Sequence, residues 1–161
     1  MEDSLSAAVR QHQLGHLHEA ARMYQAILAR NPNHPDALHL LGVAAHQLGQ
    51  HPQAAELIGR AIALRPSVAA YHANLGEVWR TLGQIERAIG ACRTALRLQP
   101  HYPEAANNLG LALAFQGDTL DAMAQFRLAI QLKPDFALAY NNLGNTLRSQ
   151  GDMVAAIAHF R

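Results

Sequence analysis

Histidine and asparagine are the side chains of this sequence whose number and spacing suggest chemistry. The chain of 161 residues has ten histidines, beside 13 Lys and Arg and 12 Asp and Glu residues that give a formal net charge of +1. Histidine binds metal ions and titrates near neutral pH. The tetrapeptide Asn-Asn-Leu-Gly occurs at 107–110 and again at 141–144. Because asparagine is a mediocre helix former, its recurrence in a helical context calls for an explanation.

The histidine spacings do not favour a metal site. His12 and His16 are four residues apart, but a glycine lies between them, so we do not expect them to share a helical face. The same holds for His46 and His51. His39 and His46 share a face but lie roughly 10 Å apart along a helix axis, too far for one ion at Zn–N distances of about 2 Å. We predict no metal and no cofactor, and leave open solvated histidines or a pH-responsive surface.

The remaining composition argues against an enzyme or a nucleic-acid binder. No Ser/His/Asp motif, phosphate-binding loop or catalytic carboxylate pair occurs within the 161 residues, although a catalytic domain could follow residue 161. Cys92, the single cysteine, falls at an apolar core position and is interpreted as packing. The near-neutral charge does not suggest nucleic acid, and no apolar run suggests a membrane helix or a signal peptide. A lone cysteine fits a reducing, cytoplasmic location.

The dominant feature is a period of 34 residues. Four independent series of residues recur at this spacing without an insertion or deletion, which predicts a repeat architecture. The series are Gly15, Gly49, Gly83, Gly117 and Gly151; Ala20, Ala54, Ala88, Ala122 and Ala156; Pro32, Pro66, Pro100 and Pro134; and Gly42, Gly76, Gly110 and Gly144, each of the last preceded by leucine.

Each repeat is predicted to form two antiparallel helices. We set the units at 1–34, 35–68, 69–102, 103–136 and 137–161, the last one truncated, and treat 1–161 as a single array. Helix A covers about the first 14 positions and ends at the glycine of position 15, where a left-handed C-cap is expected. Helix B runs to about position 28, before the proline of position 32. Glycine at position 8 and alanine at position 20 allow close approach of the helices.

These residues resemble the tetratricopeptide repeat: Leu-Gly, then Ala-x3-Phe/Tyr, then Pro. The resemblance covers the whole chain and implies an all-α, right-handed superhelical solenoid. In that family the A helices line a concave groove that binds proteins or extended peptides, and their positions 2, 5, 6, 9, 12 and 13 face the groove.

Carried over by register, these positions hold a row of asparagines. Asn74, Asn108 and Asn142 occupy position 6, and Asn107 and Asn141 occupy position 5. An amide can pair with a peptide N–H and C=O together, so the row could hold a partner's backbone. The alternatives are inheritance by duplication, solvation, or bonds to a neighbouring helix. The other candidate groove residues are Glu77, Arg80, Phe115, Asn145 and Arg148.

Known tetratricopeptide proteins suggest two more specific functions. The asparagine row is similar to the ladder in the tetratricopeptide arm of O-linked N-acetylglucosamine transferases, which implies a substrate-recruiting arm of a larger glycosyltransferase. Leu40 and Ser6 depart from that ladder. The carboxylate clamp of chaperone adaptors requires Lys at position 5, which no unit supplies, so docking of an acidic chaperone tail is disfavoured. A structural spacer or assembly module remains a further alternative.

The C-terminal unit suggests an uncovered flank. No terminating proline or capping helix follows its B helix, and Leu143, Leu147, Ile157 and Phe160 are expected to face the place of a sixth unit. Terminal repeats need a polar outer face for solubility. We therefore expect a fragment of a longer array or a homo-oligomer through this end.

Overall fold

The computed structural model describes residues 4–149 and 151, and all the regular secondary structure in this part of the chain is helical. The A helices are α1 (Ser4–Gln13), α3 (Pro35–Gln47), α5 (Ala69–Thr81), α7 (Pro103–Gln116) and α9 (Ala137–Ser149). The B helices are α2 (Leu17–Arg30), α4 (His51–Leu64), α6 (Ile85–Leu98) and α8 (Thr119–Leu132). The predicted all-helical solenoid is confirmed. The B helices end at position 30, two residues later than predicted, because proline at 32 restricts the residue before it rather than those further back.

The turn glycines have the left-handed backbone conformation that their spacing predicted. Backbone φ is positive at Gly15, Gly49, Gly83, Gly117 and Gly151, between 73° and 98°. A residue with a Cβ rarely adopts this conformation, so glycine is required there. The first four of these glycines each follow an A helix and turn the chain back along its B helix, which makes the helix pair antiparallel.

The position-8 glycines allow contact between the two helices of a pair. A Cβ placed on any of three of them would lie within 2.6 Å of a side-chain atom on the paired B helix, closer than real Cβ contacts. The three contacts are Gly42 with Ile58, Gly76 with Cys92, and Gly110 with Phe126. Ile58, Cys92 and Phe126 are fully buried, so the A–B interface is packed at van der Waals distance.

The order of contacts distinguishes the two faces of the array. Each A helix contacts the next A helix, as α3 does α5 and α5 does α7, whereas no two of the B helices α2, α4, α6 and α8 contact each other. The A helices therefore lie on the inner, concave side of the curve. We call each place where two successive A helices meet a seam, and name it by those helices.

Candidate peptide-binding groove

The structure divides the asparagine row into paired and unpaired amides. Asn74 Nδ2 donates to His39 Nε2 of the preceding A helix at 2.8 Å. Asn142 Nδ2 donates to Asn107 Oδ1 of the preceding A helix, also at 2.8 Å. In both cases position 6 donates to position 5 of the previous repeat. These bonds join adjacent repeats, as the alternative of bonding to a neighbouring helix anticipated.

Asn107 is a structural residue rather than a surface one. Its side chain is only 1% exposed, and its Oδ1 accepts the bond from Asn142. The expectation that Asn107 lines an open groove is therefore wrong, because position 5 points into the seam between two A helices. Asn141, also at position 5, is exposed; α9 has no later A helix against it among the described residues.

Asn108 is the unpaired member of the row. The residue equivalent to His39 and Asn107 in the preceding repeat is Ala73, whose methyl group cannot accept a hydrogen bond. Among the described residues the Asn108 amide has no hydrogen-bond partner, and it is half-buried. Its donors and acceptor are therefore available to a ligand.

The other predicted groove residues differ in exposure and pairing. Phe115 is 72% exposed, and Asn145 and Arg148 are exposed and contact each other at 3.4 Å. Glu77 Oε1 lies 3.8 Å from His46 Nε2. Arg80 is half-buried, and its Nε is buried without a hydrogen-bond partner among the described residues. A small recess of about 70 Å³ lies between α3 and α5, lined in part by His46, Asn74 and Glu77.

The histidines of the first repeats are engaged across the seams. His12 Nε2 donates to Gln47 Oε1 at 2.9 Å, and the His39 ring stacks on Tyr71 with centroids 4.5 Å apart. Burial lowers the pKa of His39 to about 4, an effect that Asp36 opposes and His12 reinforces. His39 is therefore neutral at pH 7, as its role as an acceptor for Asn74 requires.

His46 and His51 meet, contrary to expectation. Their Nδ1 atoms are 2.9 Å apart because the turn at Gly49 folds the start of α4 back onto the end of α3. Burial lowers the pKa of His46, while Glu77 opposes this and the charges of His51 and Arg80 add to it. No group of three or more potential metal ligands assembles within the described residues.

Within the described residues, two ion pairs connect the end of a B helix to the start of the A helix in the same unit. Arg65 Nη1 lies 3.1 Å from Asp36 Oδ2, and the Tyr71 hydroxyl donates to the same carboxylate. Lys133 Nζ lies 3.6 Å from Glu104 Oε1. Both pairs join position 31 to position 2 within a unit, so these two acidic residues have partners of opposite charge.

Cys92, Leu143 and Leu147 are all buried. Burial raises the pKa of the Cys92 thiol to about 12, as a packing role implies. Leu143 and Leu147 are buried and so do not form an open flank, while Ile157 and Phe160 lie outside the described residues. Within the described part, no helix is both long and apolar enough to span a membrane.

One exposed groove residue was not singled out from the sequence. Leu138, at position 2 of α9, is 52% exposed. The equivalent positions hold Asp36, Ala70 and Glu104, so the signal was an apolar residue where the other repeats have a charged or small one.

A concave face lined by successive A helices defines a helical repeat protein. Tetratricopeptide repeat models match residues 11–76, 80–135 and 107–161. The chain therefore belongs to the tetratricopeptide repeat family, whose members act as protein-interaction scaffolds.

Known structures share the fold at low sequence identity. A crystal structure of MamA superimposes with a TM-score of 0.80 at 25% identity, covering 99% of this chain and 92% of that one. The thermophilic TPR protein TTC0263 of Thermus thermophilus gives 0.85 at 25% identity, covering 97% and 86%. A chain of the APC/C hetero-tetramer Cut9-Hcn1 gives 0.89 at 22% identity, covering 97% of this chain but 31% of that one. No curated protein matches significantly.

Proposed function

We propose that the concave face of this chain binds an extended segment of a partner protein. The observation that carries the proposal is the unpaired amide of Asn108 in the fourth repeat. At the same position, Asn74 and Asn142 each donate one N–H of their amide to the preceding repeat. An available amide can bond to both the N–H and the C=O of a peptide, which gives affinity with little dependence on side chains.

Exposed apolar side chains on the same face support the proposal. Phe115 and Leu138 are large apolar residues that are 72% and 52% exposed. Leu111, one turn before Phe115 on α7, is half-buried. Aromatic side chains that become buried on binding contribute much of the affinity of protein interfaces. The proposed face therefore combines backbone recognition with apolar anchors.

Selection from a random peptide library tests this proposal. Phage-displayed 12-residue peptides are selected on the immobilised chain, and the affinities of the enriched peptides are measured by fluorescence anisotropy. We expect Asn108→Ala and Phe115→Ala each to weaken binding by about tenfold, equivalent to about 1.4 kcal/mol. Gln131→Ala, on the outer helix α8, is the matched control and should leave the affinity unchanged.

The same experiment separates the alternatives. The proposal that peptides bind in the groove would be refuted if Asn108→Ala and Phe115→Ala left the affinities unchanged while substitutions on the outer B helices lowered them. An array that enriches no peptide would favour the structural spacer. The substrate-recruiting arm of a glycosyltransferase rests on a continuous asparagine ladder, and the engagement of Asn74 and Asn142 by neighbouring repeats makes it the second choice.

A further inference from the structure

The α5–α7 seam differs chemically from the other seams of the concave face. Polar side chains connect α1 to α3, α3 to α5, and α7 to α9, through the bonds of His12, Asn74 and Asn142. Among the described residues, no side-chain hydrogen bond or ion pair joins α5 to α7. Ala73, Ala95 and Ala105 pack there instead, as a small apolar cluster.

The equivalent residues of the other repeats indicate why Arg80 Nε has no hydrogen-bond partner. Arg80 occupies position 12 of its unit. At this position His12 donates to Gln47, at position 13 of the next unit, and His46 lies beside Glu77, at position 9 of the next unit. The residues of α7 at positions 9 and 13 are Leu111 and Phe115. Neither side chain can accept a hydrogen bond, so by this register α7 offers no acceptor to Arg80, whose Nε is buried and unpaired.

Neighbouring charges leave the Arg80 guanidinium available. Glu77, one turn earlier on α5, has its carboxylate 3.8 Å from His46, on the α3 side of the helix. Glu104 of α7 is paired with Lys133, and Asp36 with Arg65. No described acidic side chain lies within ion-pair distance of Arg80. A buried guanidinium nitrogen without an acceptor is costly, and a ligand that supplied one would remove that cost.

We infer that the α5–α7 seam recognises a carboxylate next to a large apolar side chain in the bound segment. This inference rests on the proposed peptide-binding function. Arg80 binds the carboxylate, Leu111 and Phe115 bury the apolar side chain, and Asn108 bonds to the intervening backbone. Arginine suits the first task because its planar fork can bind both oxygens of a carboxylate. The ligand supplies the three kinds of partner that the seam itself lacks.

The carboxylate of the bound segment belongs to an Asp or Glu side chain. Peptides selected from the random library should be enriched in an acidic residue within one or two positions of Leu, Ile, Phe or Met. Each enriched peptide is resynthesised in three forms: unchanged, with the acid replaced by its amide (Asp→Asn or Glu→Gln), and with its C-terminus amidated. Loss of affinity in the second form supports binding of the side-chain carboxylate, whereas loss in the third form alone would contradict it.

A double-mutant cycle assigns the carboxylate to Arg80. We expect Arg80→Gln to weaken the acidic peptide about tenfold and the amide peptide less than twofold. Arg80→Lys should restore part of the affinity, because lysine retains the charge without the fork. Arg93→Gln removes an exposed arginine from the outer helix α6 and should change neither affinity. Circular dichroism of each variant verifies that the helices remain folded.

The outcomes separate this inference from the function on which it rests. Suppose that the enriched peptides lose affinity with Asn108→Ala, but that Arg80→Gln weakens their acidic and amide forms equally. This result would refute carboxylate recognition by Arg80 and would leave the proposed peptide-binding groove standing. Enriched peptides without acidic residues would do the same. A failure to find any peptide sensitive to Asn108 would remove both the function and the inference.

Discussion

The two classes of asparagine should respond in opposite ways to replacement by alanine. Asn142→Ala removes the donor to the buried Oδ1 of Asn107, and an unsatisfied buried polar group costs about 1–3 kcal/mol. Improved helix propensity returns at most about 0.7 kcal/mol. The net effect is a loss of about 0.3–2.3 kcal/mol in the free energy of unfolding. Asn108→Ala breaks no described side-chain bond, so only the propensity gain remains, and stability should rise by a few tenths of a kcal/mol.

Urea titrations followed by circular dichroism measure the difference. The stabilities of the wild type, Asn142→Ala, Asn107→Ala and the double variant form a cycle whose coupling energy reports the bond itself. We expect a coupling of about 1 kcal/mol, since removing both partners leaves no orphaned group. A comparison is valid where the slope with urea is unchanged. Equal effects of Asn108→Ala and Asn142→Ala, or a coupling near zero, would refute the division of the row.

Three further outcomes follow from the packing and the titrating groups. Gly110→Ala places a Cβ 2.6 Å from Phe126 and should lower the unfolding free energy by about 1–3 kcal/mol. Gly90→Ala, with open space around its Cβ, should raise the unfolding free energy by about 0.5–1 kcal/mol. Thermal melts compare the two variants, and equal shifts in melting temperature would contradict the close contact at Gly110. Because the folded pKa of His39 is about 4, below the ordinary 6.5, the unfolded chain takes up the proton first. Stability should therefore fall as pH drops from 6.5 to 4, by up to about 3 kcal/mol, and His39→Gln should flatten this fall; an unchanged pH profile would count against burial as its cause. Buried Cys92, whose pKa is raised to about 12, should react with a disulfide reagent at pH 8 only after urea unfolding; rapid reaction of the folded chain would be the opposite result.

The sequence carries most of the fold because the packing is repeated. Glycine at positions 8 and 15 recurs where the structure needs a missing Cβ or a positive φ, and either requirement can be inferred from one helix pair alone. The assignment of Cys92 to the core follows in the same way. These features depend on local geometry and on one neighbouring helix, so a fixed period reveals them.

The side-chain hydrogen bonds between repeats are harder to predict from the sequence. Asn142 and Asn107 are 35 residues apart, as are Asn74 and His39, so each bond joins two different positions of the repeat. A comparison of the residues at position 6 of each repeat shows only a row of asparagines and gives no sign of their different partners. The Asn108 amide is unpaired because position 5 of the preceding repeat is Ala73, whose side chain cannot form a hydrogen bond. The contact of His46 with His51 depends on the turn between two helices, which a helical-face argument cannot include.

A spin label on a bound peptide would test the location of the groove most directly. A selected peptide carrying a terminal nitroxide is added to the ¹⁵N-labelled chain, and the broadening of each amide signal is measured. We expect broadening along α5, α7 and α9, including Asn108 and Phe115, with little effect on α4, α6 and α8. Broadening centred on those B helices, with the A helices unaffected, would contradict binding in the concave groove.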